Sequence, residues 1–211
     1  MVRGHPEQVR NHWYWRPGWR VGRRFYTWHL TFADQPDVVA LAQTYRSLLD
    51  QTPETDFIPA RWLHLTMQGI GFIDEVDHAD IEAIADAARK RCAALTPFVL
   101  AVGAPYVDTE AVQIAVQPPE SVTKLRLALR AAIADVWGAT QVPEPEEPFL
   151  PHMSLAYINR DGPAAPLATA VASVTTPPAN ATISHCQLIV INRDEQMYTW
   201  DTHTSVPLGA E

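Results

Sequence analysis

Two short segments, Leu-His-Leu-Thr-Met and Pro-His-Met-Ser-Leu, constrain the fold of this chain more than any other feature. The first contains His64 and Thr66, and the second contains His152 and Ser154. Successive residues of a β-strand point to opposite faces, so each histidine shares a face with its hydroxyl while the apolar residues share the other face. Such a strand covers a core on one side and lines a cleft on the other. Two of them can bring two imidazoles and two hydroxyls into one pocket.

The two segments occupy equivalent places in an internal repeat. His64 and His152 lie 88 residues apart, and a Phe-x-Pro sequence precedes each segment. The order strand, helix, Pro-rich connection, histidine strand, helix and strand occurs once before about residue 108 and once after it. We therefore predict an α+β fold of two pseudo-symmetric lobes around a central cleft, each an antiparallel-rich sheet with helices on its outer face. The lobes are expected at about 25–108 and 109–206, within a single domain of residues 25–211.

Apolar periodicity and turn residues predict the individual elements. Helices are expected over residues 37–51, 80–95 and 120–137, with a weaker Ala-rich helix over 164–173. Besides the two histidine strands, strands are expected at 25–32, 97–106, 111–117, 182–192 and 197–206.

The first 24 residues form a Trp- and Arg-rich extension, predicted to be a structured loop. Residues 1–30 contain six arginines and one acid, whereas the remainder contains ten basic and 23 acidic residues, for a net charge of −8. This acidic surface disfavours broad nucleic-acid binding, but it allows a local basic entrance for a small phosphorylated ligand. The six arginines are Arg3, Arg10, Arg16, Arg20, Arg23 and Arg24.

Two interpretations of this extension stay open. Trp13, Trp15 and Trp19 can cap a lobe while the arginines reach into solvent. Alternatively, aromatic rings and guanidinium groups stack on a base and hold phosphate, in which case Trp19 and Arg23 contact the substrate.

Composition points to an ordinary globular protein. The hydrophobic share is 47% and the charged share is 19%. No apolar run approaches the length of a membrane-spanning helix, and no secretory signal is expected. The two cysteines, Cys92 and Cys186, lack metal-binding spacing. We therefore expect a reduced, cytoplasmic monomer with no membrane partner.

The bare His-x-Ser/Thr pattern is weak evidence, because about one match is expected by chance in a chain of this composition. Four occur, at His29, His64, His152 and His203. Apolar flanks, the Phe-x-Pro sequence and the repeat select His64 and His152. His29 lies on a polar face of the first strand, where it is expected to line the same groove and contact the substrate. His203 is expected to be solvated.

At these residues the chain resembles the 2H phosphoesterase superfamily, and within it the bacterial 2′,5′ RNA ligase-like branch of RNA 2′,3′-cyclic phosphodiesterases. The resemblance covers about residues 25–206 and implies the 2H phosphoesterase, or LigT-like, fold. It implies that His64 and His152 are the catalytic residues, with His152 the base and His64 the acid in hydrolysis. Some of these relatives carry arginine five residues after the second histidine, where this chain has Tyr157.

The chemistry suits these residues. Opening a cyclic phosphate needs a base for water and an acid for the departing ribose oxygen, and histidine can serve in either role. Thr66 and Ser154 are expected to donate hydrogen bonds to phosphate oxygens, and Tyr157 to contact the substrate. We expect a 2′,3′-cyclic phosphate of an RNA end or small nucleotide as substrate, with 2′-5′ ligation as the reverse reaction. No carboxylate cluster suited to Mg²⁺ accompanies the histidines, so neither a metal nor a cofactor is expected.

Two alternatives remain. The same fold could hold a nucleotide or RNA end without catalysis. A zinc hydrolase could instead use His29, His64 and His152 as ligands, provided that the three rings converge on one ion.

Overall fold

The computed structural model describes residues 5–209, so residues 1–4, 210 and 211, among them Arg3 of the basic extension, lie outside the described part. None of the helices found there is long and apolar enough to cross a membrane. The helices are α1 Pro36–Asp50, α2 His78–Cys92, α3 Pro119–Trp137 and α4 Ala165–Ala172. The strands are β1 Gln8–Val9, β2 Phe25–Thr31, β3 Thr55–Phe57, β4 His64–Phe72, β5 Phe98–Val107, β6 Ala111–Gln117, β7 His152–Ile158, β8 Gly162–Pro163, β9 Ala179–Ile183, β10 His185–Asn192 and β11 Thr199–Pro207.

Two antiparallel sheets dominate the fold. Their strand orders are β11-β10-β2-β4 and β3-β7-β6-β5-β9, and a small separate pair joins β1 to β8. Helices α2 and α3 contact the four-stranded sheet through β11 and β4, whereas α1 and α4 contact the five-stranded sheet through β9 and β5. The predicted α+β fold, with two lobes and helices packed on the sheets, is confirmed.

The boundary between the lobes differs from the prediction. The four-stranded sheet combines β2 and β4 with the two C-terminal strands, and the five-stranded sheet takes β3 and β5 from before residue 108. Each sheet therefore draws strands from both halves of the chain, which corrects the division into 25–108 and 109–206. A repeat in the sequence identifies equivalent segments, but it does not reveal which segments pair.

The predicted elements lie close to the observed ones, with one exception. The strand expected at 182–192 is divided at Ser184 into β9 and β10, which belong to different sheets. The alternation changes phase at the break, because Ala181 and Ile183 are buried before it and Cys186 and Leu188 after it, with the polar pair Ser184-His185 between them. The short strands β1, β3 and β8 were not predicted, because two or three residues give no periodic pattern.

The alternation predicted for the two histidine strands is confirmed. Leu63, Leu65, Met153 and Leu155 are fully buried, and Met67 is 1% exposed. β4 is the edge strand of its sheet, and β3 pairs only with the last three residues of β7. The histidine end of each strand therefore lies at a sheet edge, and the two strands are in contact across the cleft.

The N-terminal segment, residues 5–24, packs on the two-lobed body. Trp13 is 8% exposed, and its indole Nε1 donates a hydrogen bond to Asp56 at 2.8 Å. The buried Arg193 donates to the carbonyl oxygens of His12 and Tyr14 at 3.0 and 3.1 Å. Trp13 therefore fits the first interpretation of this segment, in which the tryptophans cap a lobe.

Candidate active site

A cavity of about 330 Å³ opens where β4 and β7 meet, and both His/hydroxyl pairs line it. His64 and Thr66 contribute from one sheet, and His152 and Ser154 contribute from the other. The structure thus brings together in one cavity the four residues to which the sequence analysis gave catalytic and phosphate-binding roles.

A backbone carbonyl orients each of the two imidazoles. His64 Nδ1 lies 2.8 Å from the carbonyl oxygen of Trp62, and His152 Nδ1 lies 2.8 Å from that of Leu150. A carbonyl oxygen only accepts hydrogen bonds, so Nδ1 carries the hydrogen in both rings. In the neutral state Nε2 of each ring therefore has a free lone pair, as a general base requires.

His64 is the more deeply buried of the two histidines. It is 9% exposed, its ring stacks on His29, and Trp200 packs against it edge-on with centroids 5.3 Å apart. Burial lowers the pKa of His64 to about 4; the Trp62 carbonyl partly offsets this, and the charge of His152 adds to it. His64 is therefore neutral at pH 7 while the cavity holds no anion.

His29 lines the cavity, as the sequence analysis expected. Its ring is parallel to that of His64, with planes 1° apart and centroids 4.4 Å apart. Imidazole lone pairs lie in the ring plane, so two parallel stacked rings do not direct them at one ion. Residues 5–209 contain no group of three His, Cys, Asp or Glu side chains arranged to hold a metal. This geometry gives no support to the three-histidine zinc alternative.

Tyr157 also lines the cavity, within a group of aromatic rings. It stacks on His12 with centroids 4.4 Å apart and meets Tyr198 edge-on at 5.4 Å. Burial raises the pKa of Tyr157 well above 10, so the phenol stays protonated and neutral. The position where some relatives carry arginine is thus part of an uncharged aromatic wall.

A cation reaches the cavity from the N-terminal segment, and no motif in the sequence distinguishes it from the other arginines of that segment. Arg16 lines the cavity and donates to Glu110 at 2.5 Å. Arg10 donates to the other oxygen of the same carboxylate, also at 2.5 Å. His12 Nδ1 lies 3.4 Å from the oxygen that Arg16 binds. Glu110 lies 94 to 100 residues away from these partners, and no local pattern in the sequence relates them.

Trp19 and Arg23, which contact the substrate in the second of the two interpretations of the N-terminal segment, lie outside the cavity lining. Trp19 packs against Phe72 with centroids 5.1 Å apart. Arg23 donates to the carboxylates of Asp74 and Glu75 and lies over the Phe72 ring. Because carboxylates occupy its guanidinium, Arg23 fixes the N-terminal segment to the start of the β4–α2 connection instead.

A carboxylate from the acidic Pro-rich connection also reaches the cavity. Glu144 lines it and accepts a hydrogen bond from the Gly69 backbone N–H at 3.2 Å. Arg126 and Arg130 on α3 hold this connection by donating to the carbonyl oxygens of Pro145 and Glu144 at 2.9 and 3.0 Å. A side chain at Gly69 would place its Cβ 2.5 Å from the Glu144 carboxylate and would displace that carboxylate from its present position.

Comparison with known proteins identifies relatives by family and by fold. A model of the 2′-5′ RNA ligase superfamily matches residues 35–195. The crystal structure of TT0787 of Thermus thermophilus matches with a TM-score of 0.63 and 18% identity, covering 90% of this chain and 99% of that one. No curated protein matches the chain.

Structures of E. coli LigT show the same fold. Its complex with 3′-AMP matches with a TM-score of 0.62 and 18% identity, covering 88% of this chain and 98% of that chain. Its complex with ATP matches with a TM-score of 0.59 and 16% identity, covering 89% and 99%. At these identities the likeness concerns the fold alone.

Proposed function

Because the chain belongs to the 2′-5′ RNA ligase superfamily of 2H phosphoesterases, we propose that it opens a 2′,3′-cyclic phosphate by acid–base catalysis from His64 and His152. The observation that carries the proposal is the matched pair of imidazoles, each with Nδ1 bound to a carbonyl and a hydroxyl two residues away, at one cavity. Membership of this family supports a phosphoesterase or ligase activity, and the two imidazoles and two hydroxyls are the groups that such a reaction needs.

In hydrolysis, the base removes a proton from water as the water oxygen attacks phosphorus. The bond from phosphorus to one ribose oxygen breaks, and the acid protonates that oxygen. Thr66 and Ser154 donate hydrogen bonds to the non-bridging oxygens, where negative charge accumulates. When a ribose 5′-hydroxyl replaces water as the nucleophile, the same exchange of protons forms a phosphodiester, which is the ligation direction.

We assign the base role to His64 and the acid role to His152, the reverse of what the resemblance implies. Burial keeps His64 neutral at pH 7 before substrate binds, and its Nε2 lone pair is free. A general base needs this form. The acid role then falls to His152, the other imidazole of the matched pair at the cavity.

A small ester with a good leaving group tests this assignment. Methyl p-nitrophenyl phosphate releases p-nitrophenolate without needing an acid, so replacing the acid has little effect on its hydrolysis. We expect His152→Asn to retain more activity on this ester than His64→Asn does. The opposite order would restore the assignment that the resemblance implies.

For the substrate, we propose a nucleotide or an RNA end. A cavity of about 330 Å³ suits one nucleotide, and LigT has been crystallised with ATP, 3′-AMP and NADP⁺. Arg10 and Arg16 share one carboxylate, that of Glu110, so this group keeps one net positive charge beside the cavity. The aromatic wall around Tyr157 suits a base or ribose. The net charge of −8 limits contact with a long polyanion.

The deciding experiment is a panel of 2′,3′-cyclic mononucleotides, short RNAs ending in a 2′,3′-cyclic phosphate, and ADP-ribose 1″,2″-cyclic phosphate, assayed with EDTA by phosphorus NMR. We expect turnover of at least one member, and a loss of at least about 10²-fold in His64→Asn and in His152→Asn. Binding without turnover would instead identify a non-catalytic nucleotide-binding protein. Activity lost in EDTA and restored by a metal ion would contradict the metal-free mechanism.

A further inference from the structure

His29 is a buried histidine to which the proposed chemistry gives no role. The residue is 1% exposed and lies directly opposite Thr66 in the sheet. Its Nε2 is 3.2 Å from Thr66 Oγ1, while its buried Nδ1 has no hydrogen-bond partner among residues 5–209. The single polar contact of this ring is therefore with a hydroxyl of the candidate site.

The surroundings of the ring determine which nitrogen carries the hydrogen. Burial, and to a lesser degree the charge of His64, lowers the pKa of His29 well below 6.5, so the ring is neutral and has one N–H. A hydrogen on Nδ1 would leave a buried donor unpaired, whereas a hydrogen on Nε2 leaves only an unpaired acceptor. Folded proteins tolerate unpaired acceptors better than unpaired donors. The Nε2–H tautomer is therefore favoured, and it donates to Thr66 Oγ1.

A threonine hydroxyl that accepts this hydrogen bond keeps its own hydrogen for another acceptor. Thr66 is exposed at the cavity, and His29 is its one side-chain hydrogen-bond partner within the described residues. We propose that His29 is a positioning residue, which directs the Thr66 hydroxyl hydrogen toward a phosphate oxygen of the substrate. This inference rests on the phosphate-binding role proposed for Thr66.

The second lobe has a comparable arrangement. Gln113 lies directly opposite Ser154 and lines the cavity, as His29 does opposite Thr66. Its Oε1 accepts a hydrogen bond from the Tyr106 hydroxyl at 3.0 Å, and its amide NH₂ is a donor. In both lobes a donor thus occupies the position across from the hydroxyl, and glutamine is a natural replacement for His29.

The tautomer can be measured without any substrate. In the full chain labelled with ¹⁵N-histidine, long-range ¹H–¹⁵N spectra distinguish protonated from unprotonated ring nitrogens, and His29→Gln identifies the His29 signals by their loss. We expect His29 to be protonated on Nε2 at pH 7. Protonation on Nδ1 would overturn the inference, because the Thr66 hydroxyl would then donate to His29.

The variants His29→Gln and His29→Asn distinguish a positioning role of His29 from a packing role. The glutamine amide nitrogen can occupy the place of Nε2, whereas the asparagine amide is too short to reach Thr66. With a 2′,3′-cyclic mononucleotide, we expect kcat to fall about tenfold in His29→Asn and to stay within about threefold of the wild-type value in His29→Gln. Equal losses in the two variants, whose folding is checked by urea unfolding, would indicate a packing role and overturn the inference.

A double-mutant cycle links the effect to Thr66. Thr66→Val is expected to lower kcat by about 10²-fold, and adding His29→Asn in that background should cause no further loss. Additive losses would overturn the positioning role while leaving the proposed function intact. A Thr66→Val variant as active as wild type would instead reject the role of Thr66. If no cyclic phosphate is turned over, the proposed function fails, whereas protonation of His29 on Nδ1 overturns the positioning role whatever the substrate.

Discussion

The depressed pKa of His64 links the candidate site to the stability of the whole protein. The pKa is about 4 in the folded chain against 6.5 for an unperturbed histidine. Between these values the unfolded chain binds a proton that the folded chain does not bind. The free energy of unfolding therefore falls as the pH decreases from 6.5 to 4 and levels off below the folded pKa.

For His64 alone, lowering the pH from 7.5 to 5 removes about 2 kcal/mol of stability. The matched variant is His64→Asn, because an asparagine amide can still donate to the Trp62 carbonyl but does not titrate. Comparing the pH dependence of the two proteins, rather than their absolute stabilities, cancels the packing lost with the ring. Burial also lowers the pKa of His12, to about 3, and that of His29, so both stay neutral in the folded chain at pH 5 and above and contribute equally in the two proteins.

Urea unfolding followed by tryptophan fluorescence measures this difference, since the chain contains seven tryptophans. We expect the wild type to lose about 2 kcal/mol more than His64→Asn between pH 7.5 and pH 5. Equal losses would refute the reasoning, because they would mean that His64 titrates as freely in the folded protein as in the unfolded chain. The assignment of His64 as base would then lose its support.

Three further predictions concern the charged residues around the cavity. Arg16→Ala is expected to raise KM for a cyclic nucleotide about tenfold. The control Arg23→Ala changes an arginine outside the cavity and should leave KM unchanged. Equal effects on KM would contradict the placement of these two arginines. Arg193→Met should lower the free energy of unfolding by about 3 kcal/mol, measured with urea, and expose the N-terminal segment to proteases. Glu144→Gln removes a negative charge from the cavity and should lower KM severalfold at low salt, and an unchanged KM would place the phosphate far from this carboxylate.

The local features of the fold could be predicted from the sequence because they follow from periodicity. Alternation in the two histidine strands places Leu65 and Leu155 in the core and the His/hydroxyl pairs at the cavity. The predicted α3 at 120–137 differs by one residue from the observed helix, because Pro118 and Pro119 mark its start and Gly138 marks its end. Such signals lie within a few residues of the element they define.

Long-range pairing could not be predicted in this way. β10 pairs with β2 from the other half of the chain, although nothing in either strand specifies that partner. Likewise, Arg16 and Glu110 meet across 94 residues. The sequence interpretation named Arg23 and not Arg16 as a substrate contact, yet nearby carboxylates bind Arg23 away from the cavity, and Arg16 lines it. Only the packing of the N-terminal segment distinguishes them.

The central claim is that His64 and His152 together open a cyclic phosphate with water. The most direct measurement is phosphorus NMR of a 2′,3′-cyclic mononucleotide incubated in ¹⁸O-labelled water with EDTA. We expect the wild type to form one phosphomonoester regioisomer carrying a single solvent ¹⁸O, and the double variant His64→Asn/His152→Asn to form none above the uncatalysed rate. Product formation by the double variant at the wild-type rate would contradict the account.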